Sequence, residues 1–556
     1  MDPNGAPMYI LKEGTERETG PAARSTSIQA ARAIANAVKT TLGPRGMDKM
    51  LVGDSGDAVI TNDGRTILDE LEVEHPAARM LIEVARAQDE SVGDGTSTSV
   101  VLAGELLGRA ESLLEEGVHA TVIAEGYRKA ADKATDILQG IGKDLNGRGR
   151  TDHLRHLAET SLASKAVSSA RKGLSTLVVE AIEAIAHDQG GRTIVDLDDI
   201  QVQKAPGADI LETELVDGIV LDKERLDARM PTAVDTARIA LIDAAFEARK
   251  TEVESHIEIT DPEQMEAFLA EEEKNLRTLV RHVEESGANV LFTSKGIDDM
   301  AQHFLAKSGI LAVRRVPKAT MERLAKATHG TIVSSVRDLS GADLGAAGRI
   351  EERRYAETTF TVVTECKDPK AVSLVLRGGS DQVVDELDRA LHDAMSVVAT
   401  AVEDGLMVPG GGASAEEIAV RLREWAPSVG GREQMAVEAF ADAIEEIPRA
   451  LAENAGLDEI DIVMALRKAH HDKGKSAYGV NVLTGKVEDM FRAHVVEPYA
   501  VGKQVLDSAT EAAVMILRID DVITAKPSEG GGGAGGMPPG MGGGGMPGMM
   551  PGAGPF

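Results

Sequence analysis

Gly93-Asp94-Gly95-Thr96-Ser97-Thr98-Ser99-Val100-Val101-Leu102 separates two readings of this chain: a plain helix start or a phosphate site. Two glycines flank an aspartate, hydroxyl residues follow, and an apolar run begins. The apolar run predicts a helix, and glycine lets a ligand approach the backbone at its start. Backbone N–H groups and the helix dipole favour an anion there, phosphate above all. Asp94 then suits Mg2+, which takes one or two carboxylates plus phosphate oxygens. The bland alternative is an N-cap by Thr96 or Ser97. A cap does not call for an aspartate between two glycines, so the phosphate reading is preferred.

Two further glycine loops lie outward from this one. Leu42-Gly43-Pro44-Arg45-Gly46-Met47-Asp48-Lys49 suits close ligand approach, and equally a loop that ends a helix. Val408-Pro409-Gly410-Gly411-Gly412-Ala413-Ser414-Ala415-Glu416 precedes a helix and reads as a ligand loop or a hinge. Asp63 in Asn62-Asp63-Gly64 is a turn former by composition. Asp393 in Leu391-His392-Asp393-Ala394 is a helix-surface acid by composition. Gly474-Lys475-Ser476 lacks the first glycine of a Walker A loop, with Ala469 in its place, and reads as a surface loop. His153-x-x-His156 and His470-His471 read as surface histidines, since no Cys or carboxylate set accompanies them.

Periodicity places these loops in a fold. Ile28, Ala31, Ala35, Val38 and Leu42 form a helical stripe. Ala58-Val59-Ile60 reads as a strand, and Glu105 to Tyr127 and beyond as helix. In the middle, Glu214 to Val220, Ala237 to Asp243 and Gly287 to Phe292 read as strands. A charged helical stretch, Asp261 to Ser286, interrupts them. From about 400 the chain is helical again, with Gln434 to Asn454 as one helix and an apolar run at Ala512 to Ile519. The two ends resemble each other more than the middle. That predicts a mainly helical discontinuous domain with an α/β insertion, a mixed α and α/β multidomain chain.

Composition bounds the function. The 556 residues are 42% hydrophobic but only 3% aromatic, so a large core must be packed with Ala, Val, Leu and Ile. Lys and Arg number 60 against 91 Asp and Glu, a net charge of −31, which disfavours nucleic acid and anionic membranes. Such self-repulsion predicts a protein adapted to high salt, as in a halophile, and one that loosens in low-salt buffer. Cys366 is the single cysteine and, with no partner histidine nearby, reads as a core or edge-strand thiol. No signal peptide or membrane-spanning run is evident, so a cytoplasmic location is expected. Residues 530–556 are nearly all Gly, Met and Pro and read as a flexible tail.

Thr40-Thr41-Leu42-Gly43-Pro44-Arg45-Gly46-Met47-Asp48-Lys49-Met50-Leu51 resembles the first signature of group II chaperonins, the family of the archaeal thermosome. Thr61-Asn62-Asp63-Gly64 and Gly93-Asp94-Gly95-Thr96-Ser97 resemble the next two. Gly410-Gly411-Gly412-Ala413, Gly431-Arg432-Glu433-Gln434 and Ala452 to Asp458 resemble the later ones. The motifs keep the family's order from about Glu13 to Ala525.

The resemblance implies an ATP-dependent folding chaperone of stacked rings, with unfolded polypeptides and identical or paralogous subunits as partners. It implies an equatorial domain (1–150 and 405–528), an intermediate domain (151–217 and 370–404) and an apical domain (218–369) with a helical lid at about 250–285. The tail is 529–556. It implies ATP phosphates on Leu42, Gly43, Pro44, Gly95, Thr96, Ser97 and Thr98, with Mg2+ on Asp94 and K+ as a further candidate cation. Asp63 and Asp393 are implied to position and polarise the attacking water, and Lys165 to sense the γ-phosphate. Gly411, Asn481 and Glu497 are implied to line the nucleoside pocket. Phe268 and Leu269 are implied to offer apolar surface to substrate protein or neighbouring lids. Three departures stand out: Ser97 for a threonine, Ala120 for a proline at a helix start, and Pro206-Gly207-Ala208-Asp209 for a Gly-Gly-Ser stretch. Two rivals use the same loops. An acidic ATPase or kinase on a small molecule has no reason for the lid insertion or the tail. A non-catalytic holding scaffold has none to keep both Asp63 and Asp393.

Overall fold

The computed structural model describes residues 15–53, 58–145, 147, 149–165, 167, 170–247, 262–355, 358–367 and 369–525. The expected tail and the first part of the expected lid, 250–261, lie outside them. The two chain ends form a unit of their own, in which Thr15–Thr19 pairs antiparallel with Asp521–Ala525.

Helices α1 (Pro21–Lys39), α2 (Gly64–Asp69), α3 (Pro76–Val92), α4 (Thr96–Glu115) and α5 (Ala120–Ile141) follow one another. Next come α6 (Arg150–Leu162) and α7 (Arg171–Ile185), then α8 (Pro262–Ser286), α9 (Asp299–Lys307) and α10 (Lys318–Thr328) among strands. The chain returns through α11 (Asp381–Asp404) to α12 (Ala413–Val429), α13 (Gly431–Ile444), α14 (Glu446–Asn454), α15 (Glu459–His471) and α16 (Tyr499–Leu517).

One apolar core joins α1, α3, α4 and α5 to α12, α13 and α16. Central α4 is apolar nearly all round: Val100, Val101, Leu102, Leu106 and Leu107 are each at most 1% exposed. A helix without a polar face must be covered on every side, which brings the two ends of the sequence together. Tyr127 and Phe440 meet edge to face, 5.9 Å between ring centres, one of the few aromatic pairs in this Ala-rich packing.

A second core packs α6, α7 and α11 on a three-stranded sheet. Its middle strand, Val372–Leu376, runs parallel to Ile200–Lys204 and antiparallel to Glu214–Val216. Beyond it lies a mixed seven-stranded sheet in the order Leu311–Val313, Val290–Thr293, Ala233–Ile242, Gly345–Tyr355, Thr358–Thr364, Ile219–Leu221, with Ile332–Val333 beside Ala233–Ile242. α8, α9 and α10 pack against this sheet. The mixed α and α/β class expected from the sequence is what the chain adopts.

Three segment boundaries differ from expectation. Glu214 to Val220 is two strands, not one. It breaks at Gly218, whose Cα faces the Val363 carbonyl, and the chain passes there from the three-stranded to the seven-stranded sheet. Gln434 to Asn454 is two helices meeting at Glu445, because Pro448 has no N–H to continue the ladder back to Ile444. Glu105 to Tyr127 is broken at Glu116 to His119. There the His119 ring caps α5, so Ala120 begins a helix that is held without a proline. Among the described residues no helix is long and apolar enough to cross a membrane. Cys366 lies half-buried against the seven-stranded sheet, and burial with the Asp217 charge pushes its thiol up to about 11.

Candidate active site

A cavity of about 830 Å³ opens between the helical core and the second core. Leu42, Gly43, Pro44, Asp63, Asp94, Gly95, Thr96, Ser97, Thr98, Lys165, Asp393, Gly411, Asn481 and Glu497 all line it. Eight separate stretches of chain therefore converge on one space. Phe268 and Leu269 are elsewhere, on α8, 42% and 53% exposed.

Two helix starts line the cavity. α4 begins at Gly95, in the left-handed region at φ 78°, and no side chain caps it. The N-cap reading for Thr96 or Ser97 is therefore set aside, and the first amides of α4 stay available to a ligand. A Cβ on Gly95 would lie 2.9 Å from Val505 Cγ2, so both backbone angle and space demand glycine. α12 begins in the same way at Gly412, φ 74°, also uncapped. The Gly95 N–H donates to Asp94 Oδ1 at 2.6 Å, and Gln88 Nε2 donates to the Asp94 carbonyl at 2.9 Å. Burial pushes the Asp94 carboxyl up, while the Gly95 N–H and Lys165 pull it down. Among the described residues no three His, Cys, Asp or Glu are grouped to hold a metal unaided. A single carboxylate beside bare amides fits a Mg2+ shared with phosphate oxygens.

Opposite stands an ionic trio. Lys165 Nζ lies 2.7 Å from Asp393 Oδ2 and 3.6 Å from Asp63 Oδ1, and each side chain is at most 13% exposed. Asp63 is more than a turn former. It caps α2, its Oδ2 accepting from the Thr66 N–H at 2.9 Å and the Thr66 hydroxyl at 2.7 Å. Asp393 is not a surface acid, because α11 packs against both α6 and α7 and turns that face inward. The Asn62 amide donates to the Ser164 carbonyl and ties the Lys165 turn to the helical core.

Burial works against the Lys165 charge, but Asp393, Asp63 and Asp94 overcome it and keep the ammonium protonated well above its usual range. Burial also opposes the Asp63 charge, and Lys165 with the Thr66 donors wins, holding that carboxyl low. Asp393 is pushed the other way, up to about 7, by burial with Asp63 and Asp94 beside it and Lys165 opposing. Two carboxylates of separated proton affinity around one fixed ammonium can orient a water, accept its proton and balance charge on a phosphate.

At the far end, the Asn481 amide donates to Glu488 Oε1 at 2.7 Å while its oxygen accepts from the Leu483 N–H at 3.0 Å. Glu497 stands on the strand Val496–Pro498, and burial pushes its carboxyl up to about 7.

Sequence reasoning missed several residues here. Asn62, beside Asp63 in the same turn, lines the cavity and bonds the Ser164 carbonyl. Gly412 and Ser414 also line the cavity. His156 is not a surface residue but a cavity wall, half-buried and stacked on His494. His470 is fully buried, bonded through Nδ1 to Glu417 at 2.6 Å and through Nε2 to the Tyr478 carbonyl at 2.7 Å. Its position four residues beyond Leu466 and seven beyond Val463 puts it on the apolar face of α15, a signal that was present.

The chain matches the model of the TCP-1/cpn60 chaperonin family over residues 34–527. It is 53% identical to the thermosome subunit beta of Thermoplasma acidophilum over 94% of this chain and 96% of that one. It is 53% identical to the subunit beta of Archaeoglobus fulgidus (96% and 98%) and 52% identical to the thermosome subunit of Methanopyrus kandleri (94% and 96%). The rival readings, a small-molecule kinase and an inert scaffold, fall away with these matches. The chain belongs to the TCP-1/cpn60 chaperonin family, and it is an ATP-hydrolysing folding chaperone.

Proposed function

We propose that this chaperonin binds and hydrolyses ATP in the cavity just described. The observation that carries the reading is the Lys165–Asp63–Asp393 trio facing two uncapped helix starts across one enclosed space. The phosphates lie along Leu42-Gly43-Pro44 and the first turn of α4, where bare amides meet their charge. Asp94 holds Mg2+, which when bound neutralises phosphate charge. Lys165 meets the γ-phosphate. Asp63 and Asp393 orient the attacking water, and Asp393, the weaker acid, takes its proton. Gly411, Asn481 and Glu497 bound the nucleoside.

The helical core is the equatorial domain, 1–150 and 405–528. The second core is the intermediate domain, 151–217 and 370–404. The seven-stranded sheet is the apical domain, 218–369, with α8 in its lid. Asp393 and Lys165 belong to the intermediate domain and Asp63 to the equatorial one, so closure over the nucleotide assembles the site. Exposed Phe268 and Leu269 offer apolar surface to unfolded polypeptide. The subunits, identical or paralogous, stack as rings.

Light scattering in KCl with Mg-ATP tests the assembly. Closed double rings of roughly 16–18 chains, each of 58.6 kDa, weigh about 0.9–1.1 MDa. A monomer that hydrolyses ATP would keep the cavity's role and remove the folding chamber.

A further inference from the structure

We propose that the stacked imidazoles of His156 and His494 form a proton-sensitive positioning clasp for the ATP site. Neutral, they hold α6, and with it Lys165, in register with the cavity wall; protonated, they let it slip. The inference rests on the reading of the cavity as an ATP site.

The ring centres are 4.0 Å apart and the planes 25° from parallel, and both residues line the cavity. His494 reaches this position at φ 60°, a conformation uncommon for any residue but glycine. Strain of that kind persists where a specific contact depends on it.

The stack is the first rung of a seam. His156, Thr160 and Ser164 recur every four residues and so share one side of α6 and the turn after it. Each meets a different group across the gap. His156 meets the His494 ring. Thr160 Oγ1 accepts from the Val496 N–H at 3.3 Å, and its hydroxyl donates to the His156 carbonyl at 2.9 Å. The Ser164 carbonyl accepts from the Asn62 amide. His156 and Thr160 lie about one helical turn apart on α6, and their partners His494 and Val496 lie two residues apart on the facing segment. Lys165 is the next residue after the last rung.

Of the three rungs the first alone is made of imidazoles. The charged groups that act on His156 are Glu159, Arg155 and Asp152 on α6, and Arg171 and Lys172 on α7, Asp393 on α11 and Glu497 line the same cavity. Burial, then the His494 ring and Arg155, hold the His156 imidazole below its usual range, against Glu159 and Asp152. A histidine depressed in the folded state contributes full stability above its unfolded value, about 6.5, and loses that contribution as pH falls. Two charged rings at this spacing also repel. The clasp is therefore closed at neutral pH and open in acid.

Histidine C2 hydrogen–deuterium exchange, read by mass spectrometry on the assembled complex, gives the titration of each ring without reference to ATP. ATP hydrolysis over pH 5.5–8 gives the consequence. Three proteins are compared: wild type, His156→Phe, which keeps a neutral ring in the stack, and His494→Gly, which accepts the backbone angle and removes the partner. His156 should titrate below its usual range in wild type and move back towards it in His494→Gly. Wild-type hydrolysis should fall roughly threefold more between pH 7.5 and 5.5 than that of His156→Phe. Acid limbs of equal depth would overturn the proposal, since the limb then belongs to Asp393 or to ATP itself. With hydrolysis intact, a His156 titration unmoved by His494→Gly overturns the clasp alone. No hydrolysis in any of the three overturns the ATP reading, and the clasp's role towards Lys165 with it.

Discussion

The wall of the cavity and the surface of α8 are built from the same charged side chains with opposite consequences. On α8, Glu271 meets Lys274 at 3.1 Å, Glu273 meets Arg277 at 2.7 Å and Arg281 meets Glu285 at 3.0 Å, every partner at least 44% exposed. In the cavity, Lys165 meets Asp393 at the same 2.7 Å with both side chains at most 13% exposed. Distance is equal; burial is not. Water screens the helix pairs to about 0.2–1 kcal/mol each, and they mainly keep the surface soluble. Removing one partner of a buried set leaves uncompensated charge at about 3–5 kcal/mol. The cavity ions are held apart from water and from free choice of partner, which is the condition for shifted proton affinities and for catalysis.

The comparison can be broken at several depths. The largest effect is expected for Lys165→Met, which leaves Asp63 and Asp393 facing each other. Phosphate release should fall about 10²–10³-fold, with stability lowered by about 3 kcal/mol in chemical denaturation. Glu445→Ala comes next. Its side chain is 2% exposed and receives Arg423, Arg467 and, at 3.9 Å, Arg449, so its loss takes from Arg467 its ion-pair partner and leaves Arg423 on Asp442 and Arg449 on Glu446. A loss of about 3 kcal/mol is expected, seen as a lower Tm. Gly95→Ala should cost about 1–2 kcal/mol through its left-handed backbone and weaken nucleotide binding in a direct titration. Glu273→Ala on α8 should change stability by less than about 0.5 kcal/mol and leave hydrolysis as it was. A loss there as large as at Glu445 would dissolve the distinction.

The same difference explains what could be read before the fold was known. Gly93 to Ser99 announced a helix start because such a start leaves a local signature, and α4 begins there uncapped. The helical ends and the charged stretch of α8 were equally legible, since periodicity is local. Asp393 was not. Leu391-His392-Asp393-Ala394 reads like any helix surface, and its burial comes from α6 and α7, far away in the sequence. His156 and His494 likewise lie on distant segments, and nothing local announces that they meet. The break at Glu445 was within reach, because Pro448 forbids the continuous helix that apolar spacing suggested. The buried His470 was within reach too, through the apolar face of α15.

The most direct test of the cavity's role is nucleotide binding and phosphate release measured side by side on assembled Asp393→Ala. The expected result is Mg-ATP bound within about threefold of wild type and hydrolysis slowed at least about 100-fold, because the variant loses the proton acceptor and keeps the amides that hold phosphate. Hydrolysis at the wild-type rate would contradict the assignment of the buried trio as the catalytic centre.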